Sequence, residues 1–114
     1  MDQQNFEMFQ GDSKDLVVTV SDSAGLPVDL TGTTVKWRAA PAVDSTVATI
    51  SKATGTGITI TGAAAGQFTV MLGPTDTQTL DGEFYHEAQI TDAAGAVSTV
   101  LSGRLTIRPA LIGD

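Results

Sequence analysis

Cysteine is absent from this 114-residue chain, so no disulfide and no thiolate metal site can form. Histidine occurs once, which excludes a dyad of two imidazoles or a two-histidine metal site within one chain. Basic residues are scarce: 6 stand against 13 acidic ones, for a formal net charge of -7. A surface that acidic repels phosphate, so the electrostatic footprint of nucleic-acid binding is missing and anionic membranes are disfavoured. Long apolar runs are lacking, and residues 1–15 hold neither a basic nor an apolar stretch of the signal-peptide kind. The expectation is a protein made and kept in a cytoplasm, unless it leaves inside a larger assembly. Charged residues amount to only 17%, and Thr, Ser, Gly and Ala fill their place, a composition suited to strands and tight turns.

What is present is alternation. Leu16, Val18 and Val20 alternate with Val17, Thr19 and Ser21, and Asp22-Ser23-Ala24-Gly25 then supplies a turn. Val35, Trp37 and Ala39 alternate with Lys36 and Arg38 up to Pro41, and 47–51 is a weaker strand candidate. Ile58 and Ile60 precede Gly62; Phe68, Val70 and Leu72 precede Gly73-Pro74. Phe84, His86, Ala88 and Ile90 alternate with Tyr85, Glu87 and Gln89, before Asp92-Ala93-Ala94-Gly95 repeats the earlier turn signal. Leu101, Gly103, Leu105 and Ile107 share one face of a last strand that Pro109 ends. No segment sustains a 3.6-residue period, although Pro74 to Leu80 fits a single helical turn.

Seven to eight short antiparallel strands, each with one apolar face, predict an all-β immunoglobulin-like β-sandwich with one helical turn near 74–80. The expected organisation is a flexible N-terminus at 1–5, a single domain over 6–109 and a tail at 110–114. The predicted core comprises Leu16, Val18, Val20, Val35, Trp37, Ile58, Ile60, Phe68, Val70, Leu72, Phe84, Ile90, Leu101, Leu105 and Ile107.

Catalytic constellations are hard to find. His86 falls on the inward face of its strand and reads as an aromatic-sized core residue whose ring N–H meets a backbone carbonyl. Serines and threonines have no positioned base or nucleophile elbow beside them. Asp22 and Asp92 read as side-chain-capped turns ahead of Gly25 and Gly95, and Asp29 as a turn cap. Asp12 and Asp15 come nearest to a calcium loop, with a poor match to its alternating spacing. The glycine-rich stretches 55–57 and 62–66 lead into strands without a lysine for phosphate. No enzyme activity, metal or cofactor is expected.

Surfaces are therefore the candidate working parts. Lys36 and Arg38 point outward on one strand, Arg104 and Arg108 on another, and Glu83 and Glu87 on the strand expected between them. An acidic row flanked by basic rows is either cross-strand pairing or a charged docking face for another subunit. The opposite sheet should expose Val17, Thr19, Thr59, Thr69 and Met71, a neutral face suited to a protein partner. Phe6, Met8 and Phe9 form an apolar N-terminal arm that could bury itself in a neighbour. Tyr85, the one outward aromatic, is the sole support for a receptor- or carbohydrate-binding alternative.

The order of turns and strands resembles a phage family, the N-terminal immunoglobulin-like domain of baseplate upper proteins and similar standalone virion proteins. The matching stretches are 11–13 ahead of a valine-rich strand, 21–32 with its Leu26-Pro27-Val28-Asp29-Leu30-Thr31-Gly32, and the Val35–Trp37 strand. They continue through 57–60, 66–70, 74–80, 82–92 and 103–107, so that they span roughly residues 6 to 109. The resemblance implies the immunoglobulin-like fold and a virion protein assembled in the bacterial host cytoplasm. It implies other virion proteins as partners, a homo-oligomer within the assembly, and no catalytic residues. A standalone copy would decorate a capsid, ring a neck or tail, or hold a fibre. His86 departs from the aromatic that such domains often carry at its position.

Overall fold

The computed structural model describes residues 2–3, 5–22, 24–41 and 49–109. The strands are β1 (Asp2–Gln3), β2 (Phe6–Phe9), β3 (Lys14–Thr19), β4 (Thr34–Ala40), β5 (Ile50–Thr54), β6 (Gly57–Gly62), β7 (Gln67–Leu72), β8 (Gly82–Thr91) and β9 (Val97–Arg108). A 3-10 turn (Ala63–Ala65) precedes β7, and α1 (Pro74–Thr77) links β7 to β8. The fold is all-β, as the alternation predicts.

Inward and outward positions follow the period of two. β3 buries Leu16 and Val18; β4 buries Val35, Trp37 and Ala39; β7 buries Phe68, Val70 and Leu72. β8 contributes Phe84, His86, Ala88 and Ile90, and β9 contributes Leu101, Leu105 and Ile107. These side chains form one cluster, to which both the β3–β7–β6 half and the β5–β4–β8–β9 half contribute. Of the predicted core only Ile60 falls short, lying partly buried against the cluster. The structure adds Met8, Leu30 and Ile50 to the predicted core, together with Ala39 and Ala88, which share the inward phase of their strands.

Hydrogen bonding departs from the expected pattern of two antiparallel sheets. The strands join in one mixed sheet, ordered β1-β9-β8-β4-β5-β6-β7-β3, with β2 also on β9. The two halves are joined by a brief parallel pairing of β5 with β6, where Ala53 and Thr54 lie opposite Gly57 and Ile58. Among the described residues the count is nine strands, and β1 and β2 run parallel to β9. The expected loose segment 1–5 thus already contributes Asp2 and Gln3 to the sheet, opposite Leu101 and Ser102. The weak candidate at 47–51 corresponds to a strand that starts at Ile50; its residues 47 and 48, and the expected tail at 110–114, lie outside the described residues.

Turns carry the chemistry that their residues suggest. Asp22 Oδ1 accepts the N–H groups of Ala24 and Leu26 at 2.9 and 3.0 Å, and Asp92 Oδ1 accepts those of Ala94 and Ala96, both at 2.9 Å. The two loops are the same Asx-capped turn used twice. Gly66 is needed for a different reason. Its φ is +71°, and a Cβ there would lie 2.5 Å from the Val20 carbonyl oxygen and 2.8 Å from that of Val28. That close approach lets the Val20 N–H donate to the Gly66 carbonyl at 2.8 Å, tying the 20–30 loop to the start of β7.

Helix α1 occupies part of the predicted 74–80 turn. Pro74 begins it, and the Asp76 carboxylate reaches back to accept the Gly73 N–H at 2.7 Å. Asp76 also pairs with Lys52 Nζ at 2.9 Å, both side chains being about four-fifths buried. Thr77 is fully buried and its hydroxyl oxygen accepts the Gly11 N–H at 3.0 Å. The short helix thus anchors both β5 and the β2–β3 turn.

Candidate docking face

Register places the charged rows as the sequence implies. β8 lies between β4 and β9, with Arg38 opposite Glu87, Lys36 opposite Gln89, Tyr85 opposite Arg104 and Glu83 opposite Thr106. Lys36, Arg38, Glu83, Tyr85, Glu87, Arg104 and Arg108 are all exposed on this one surface. Outward positions of a strand share a face, which is why residues distant in sequence meet here.

The pairing within the face is uneven. Arg104 Nη1 stands 3.7 Å from Glu83, with its guanidinium carbon 5.7 Å from the Tyr85 ring centroid. Arg108 forms a closer pair with Glu7 of β2 at 2.9 Å. Exposed pairs of this sort contribute under about 1 kcal/mol each. Lys36, Arg38 and Glu87 make no ion pair among the described residues, although Arg38 and Glu87 face each other across the ladder.

The N-terminal arm is corrected by the structure. Phe6–Phe9 pairs residue for residue with Leu105–Arg108, so the arm is a strand of the sheet. Met8 is only 5% exposed and belongs to the core, and Phe6 is half-buried with its ring at 5.1 Å from His86 in an edge-to-face contact. Phe9 alone, at 50% exposure, remains at the surface beside Arg108.

His86 satisfies a core donor. Trp37 lies opposite Ala88 and His86 opposite Ala39, so each large ring has a small residue across the ladder and the two rings meet on the diagonal. Gly103 lies opposite His86 on its other side, and the Phe6 ring packs edge-to-face on the imidazole. The buried Trp37 Nε1–H donates to His86 Nδ1 at 3.1 Å, which puts the imidazole proton of the neutral ring on Nε2. A buried indole N–H needs an acceptor, and this is a physical reason for an imidazole where a carbocyclic ring would pack as well.

Other surfaces hold less. Val17, Thr19, Thr59 and Met71 are exposed on the opposite half and Thr69 is half-buried, the neutral face anticipated from the alternation. A cleft of about 220 Å³ lies between β2 and β3, lined by Glu7, Met8, Phe9, Asp12, Ser13, Lys14 and Arg108. It is smaller than the roughly 300–1,000 Å³ that small-molecule sites occupy, and its best charges, Glu7 and Arg108, are spent on each other. Asp12 and Asp15 meet no third ligand: no three acidic or histidine side chains converge among the described residues. At Asp29, the Thr31 hydroxyl at 2.6 Å and the Thr31 N–H at 2.9 Å hold the carboxyl below its ordinary pKa. The Lys52–Asp76 link was not anticipated; Lys52 shares the phase of Ile50 on β5, which is the signal that would have found it.

No protein-family model matches the chain, and no curated protein matches it either.

Proposed function

We propose that this chain is a non-catalytic structural protein of a tailed-bacteriophage virion, assembled in the host cytoplasm, that docks on other particle proteins through its β4–β8–β9 face. The observation that carries the reading is the gathering of Lys36, Arg38, Arg104 and Arg108 on one exposed sheet surface of a chain with only 6 basic residues. Lys36, Arg38 and Glu87 have no ionic partner among the described residues, and unpaired charges on a rigid sheet set register and partner choice more than raw affinity. The turn and strand motifs that resemble baseplate upper proteins supply the setting, an immunoglobulin-like virion domain. A glycan-binding role is less favoured, because Tyr85 is the one outward aromatic on this face and the Arg104 guanidinium lies over its ring at 5.7 Å.

Mass spectrometry of purified particles from the host that carries the gene tests this reading. The chain should be present in a whole-number ratio to the major particle proteins. A K36E/R38E variant supplied in its place should fold and be lost from the particles. Particles without the chain, or particles that take up the variant as well as the natural chain, would refute the proposal.

A further inference from the structure

The charges on this molecule are segregated, and the acidic part is as ordered as the basic face. The 20–33 loop, the turn before β7 and the 92–96 loop meet at one end: Leu30 N–H donates to Ala63 O at 2.8 Å, and a Cβ on Gly32 would touch Ala93 at 4.0 Å. This end carries Asp22, Asp29 and Asp92 and no cation among its described residues. Each carboxylate is pinned by local hydrogen bonds, two N–H donors at Asp22 and Asp92 and Thr31 at Asp29, and none is in an ion pair among the described residues. Leu26, which lies between Asp22 and Asp29 in the sequence, is 62% exposed. Four of the chain's 6 cations lie instead on the β4–β8–β9 face, against Glu7, Glu83 and Glu87; of the other two, Lys52 is paired with Asp76 and Lys14 stands over the Phe6 ring. One surface is thus near-neutral to basic, and the loop end is purely acidic.

We infer that copies of this chain associate head to tail, the acidic loop end of one seated on the β4–β8–β9 face of the next; the inference rests on the docking role proposed for that face. A second copy is the occupant because both complementary surfaces are present on every molecule. A two-fold contact centred on β8 would lay the Glu83–Glu87 row on itself, whereas a head-to-tail contact brings Asp22, Asp29 and Asp92 to Lys36 and Arg38. Contacts of this kind repeat, closing into a ring or running on as a fibre. Leu26 supplies an exposed apolar anchor inside the charged rim. Strands of 10 and 12 residues lie along the 43 Å axis, so the loop end measures about 27 by 23 Å. It can cover about 600 Å² per partner, or about 1,200 Å² in all, at the lower limit of stable specific interfaces. Association is therefore weak in dilute solution and effective where an assembly holds copies close together.

A charge swap tests the inference on the full chain. Sedimentation velocity over a concentration series at low salt should show mass rising with concentration for the natural chain. R38E/R104E reverses the face; D22N/D29N/D92N combined with A24K/A94K reverses the loop end while asparagine keeps the side-chain-capped turns. Each variant alone should lose about ten-fold or more in association, and an equimolar mixture should recover it, because the reversed surfaces then match. Circular dichroism melts confirm that both variants fold. A natural chain that stays monomeric throughout, or a mixture no better than either variant alone, would overturn head-to-tail association. Presence in particles is read separately, so a monomeric chain found in particles would leave the virion role standing and remove this one.

Discussion

Substituting Gly66 by alanine should be among the most damaging single-methyl changes available in this protein. A Cβ at this position meets three backbone atoms: Val20 O at 2.5 Å, Val28 O at 2.8 Å and Val28 N at 3.1 Å. Ordinary contact begins near 3.4 Å, so the strand and loop must separate by close to an ångström, and no flexible side chain is there to swing aside. Separation strains the Val20 N–H to Gly66 O bond at 2.8 Å and the Val28 N–H to Val20 O bond at 3.0 Å. Leaving such buried groups poorly paired costs about 1–3 kcal/mol each, and the positive φ adds about 1 kcal/mol for a residue with a Cβ. The expected total is about 3–7 kcal/mol, a large share of the stability of a domain this size. Gly25→Ala is the control. Its φ is +81° but nothing lies within 4 Å of its Cβ, so only the backbone term applies, at about 1 kcal/mol or less. Urea denaturation should show the midpoint of G66A falling far below that of G25A with slopes unchanged. Equal losses in the two variants would refute the argument, for they would show that close approach contributes nothing beyond φ.

Met8→Ala should cost about 2–4 kcal/mol in the same assay because Met8 is core, whereas Phe9→Ser should lie within about 0.5 kcal/mol of the natural chain; comparable effects would restore the picture of a free arm. A double-mutant cycle with Trp37→Phe and His86→Phe should give a coupling of about 1–2 kcal/mol, since each single change strands one partner of a buried hydrogen bond and the pair of changes strands neither; zero coupling would mean that the Trp37–His86 bond has no energetic role. NMR titration should place the Asp29 carboxyl below its ordinary pKa, with Thr31→Val raising it by removing the hydroxyl, the larger cause. Because the folded pKa is the lower one, the Asp29 contribution to stability is present above the unfolded-state pKa and is lost as pH falls through the folded value. An Asp29 pKa unmoved by Thr31→Val would discard the hydroxyl as its cause.

The charged face was legible in the sequence to the extent that strand geometry is local. Arg38 and Glu87 point outward because each sits one residue from a buried neighbour, Trp37 or His86 and Ala88. Their facing one another depends on register, which alternation restricts but does not choose. The error over Met8 has the same origin: a four-residue apolar segment has no period long enough to distinguish an arm from an edge strand, and its partner is almost a hundred residues away.

The sequence by itself determined which side of the longer strands, β3, β4, β7, β8 and β9, is wet, where the chain turns and why Asp22 and Asp92 stand at those turns, because these depend on neighbours two to four residues apart. Only the tertiary structure decided that β1 and β2 lie parallel to β9, that one sheet runs continuously through the β5–β6 pairing, and that His86 accepts the Trp37 indole proton. Each of these is a contact between distant segments. Its closure entropy is offset only by burial shared across the whole core, so no local pattern in the chain records it.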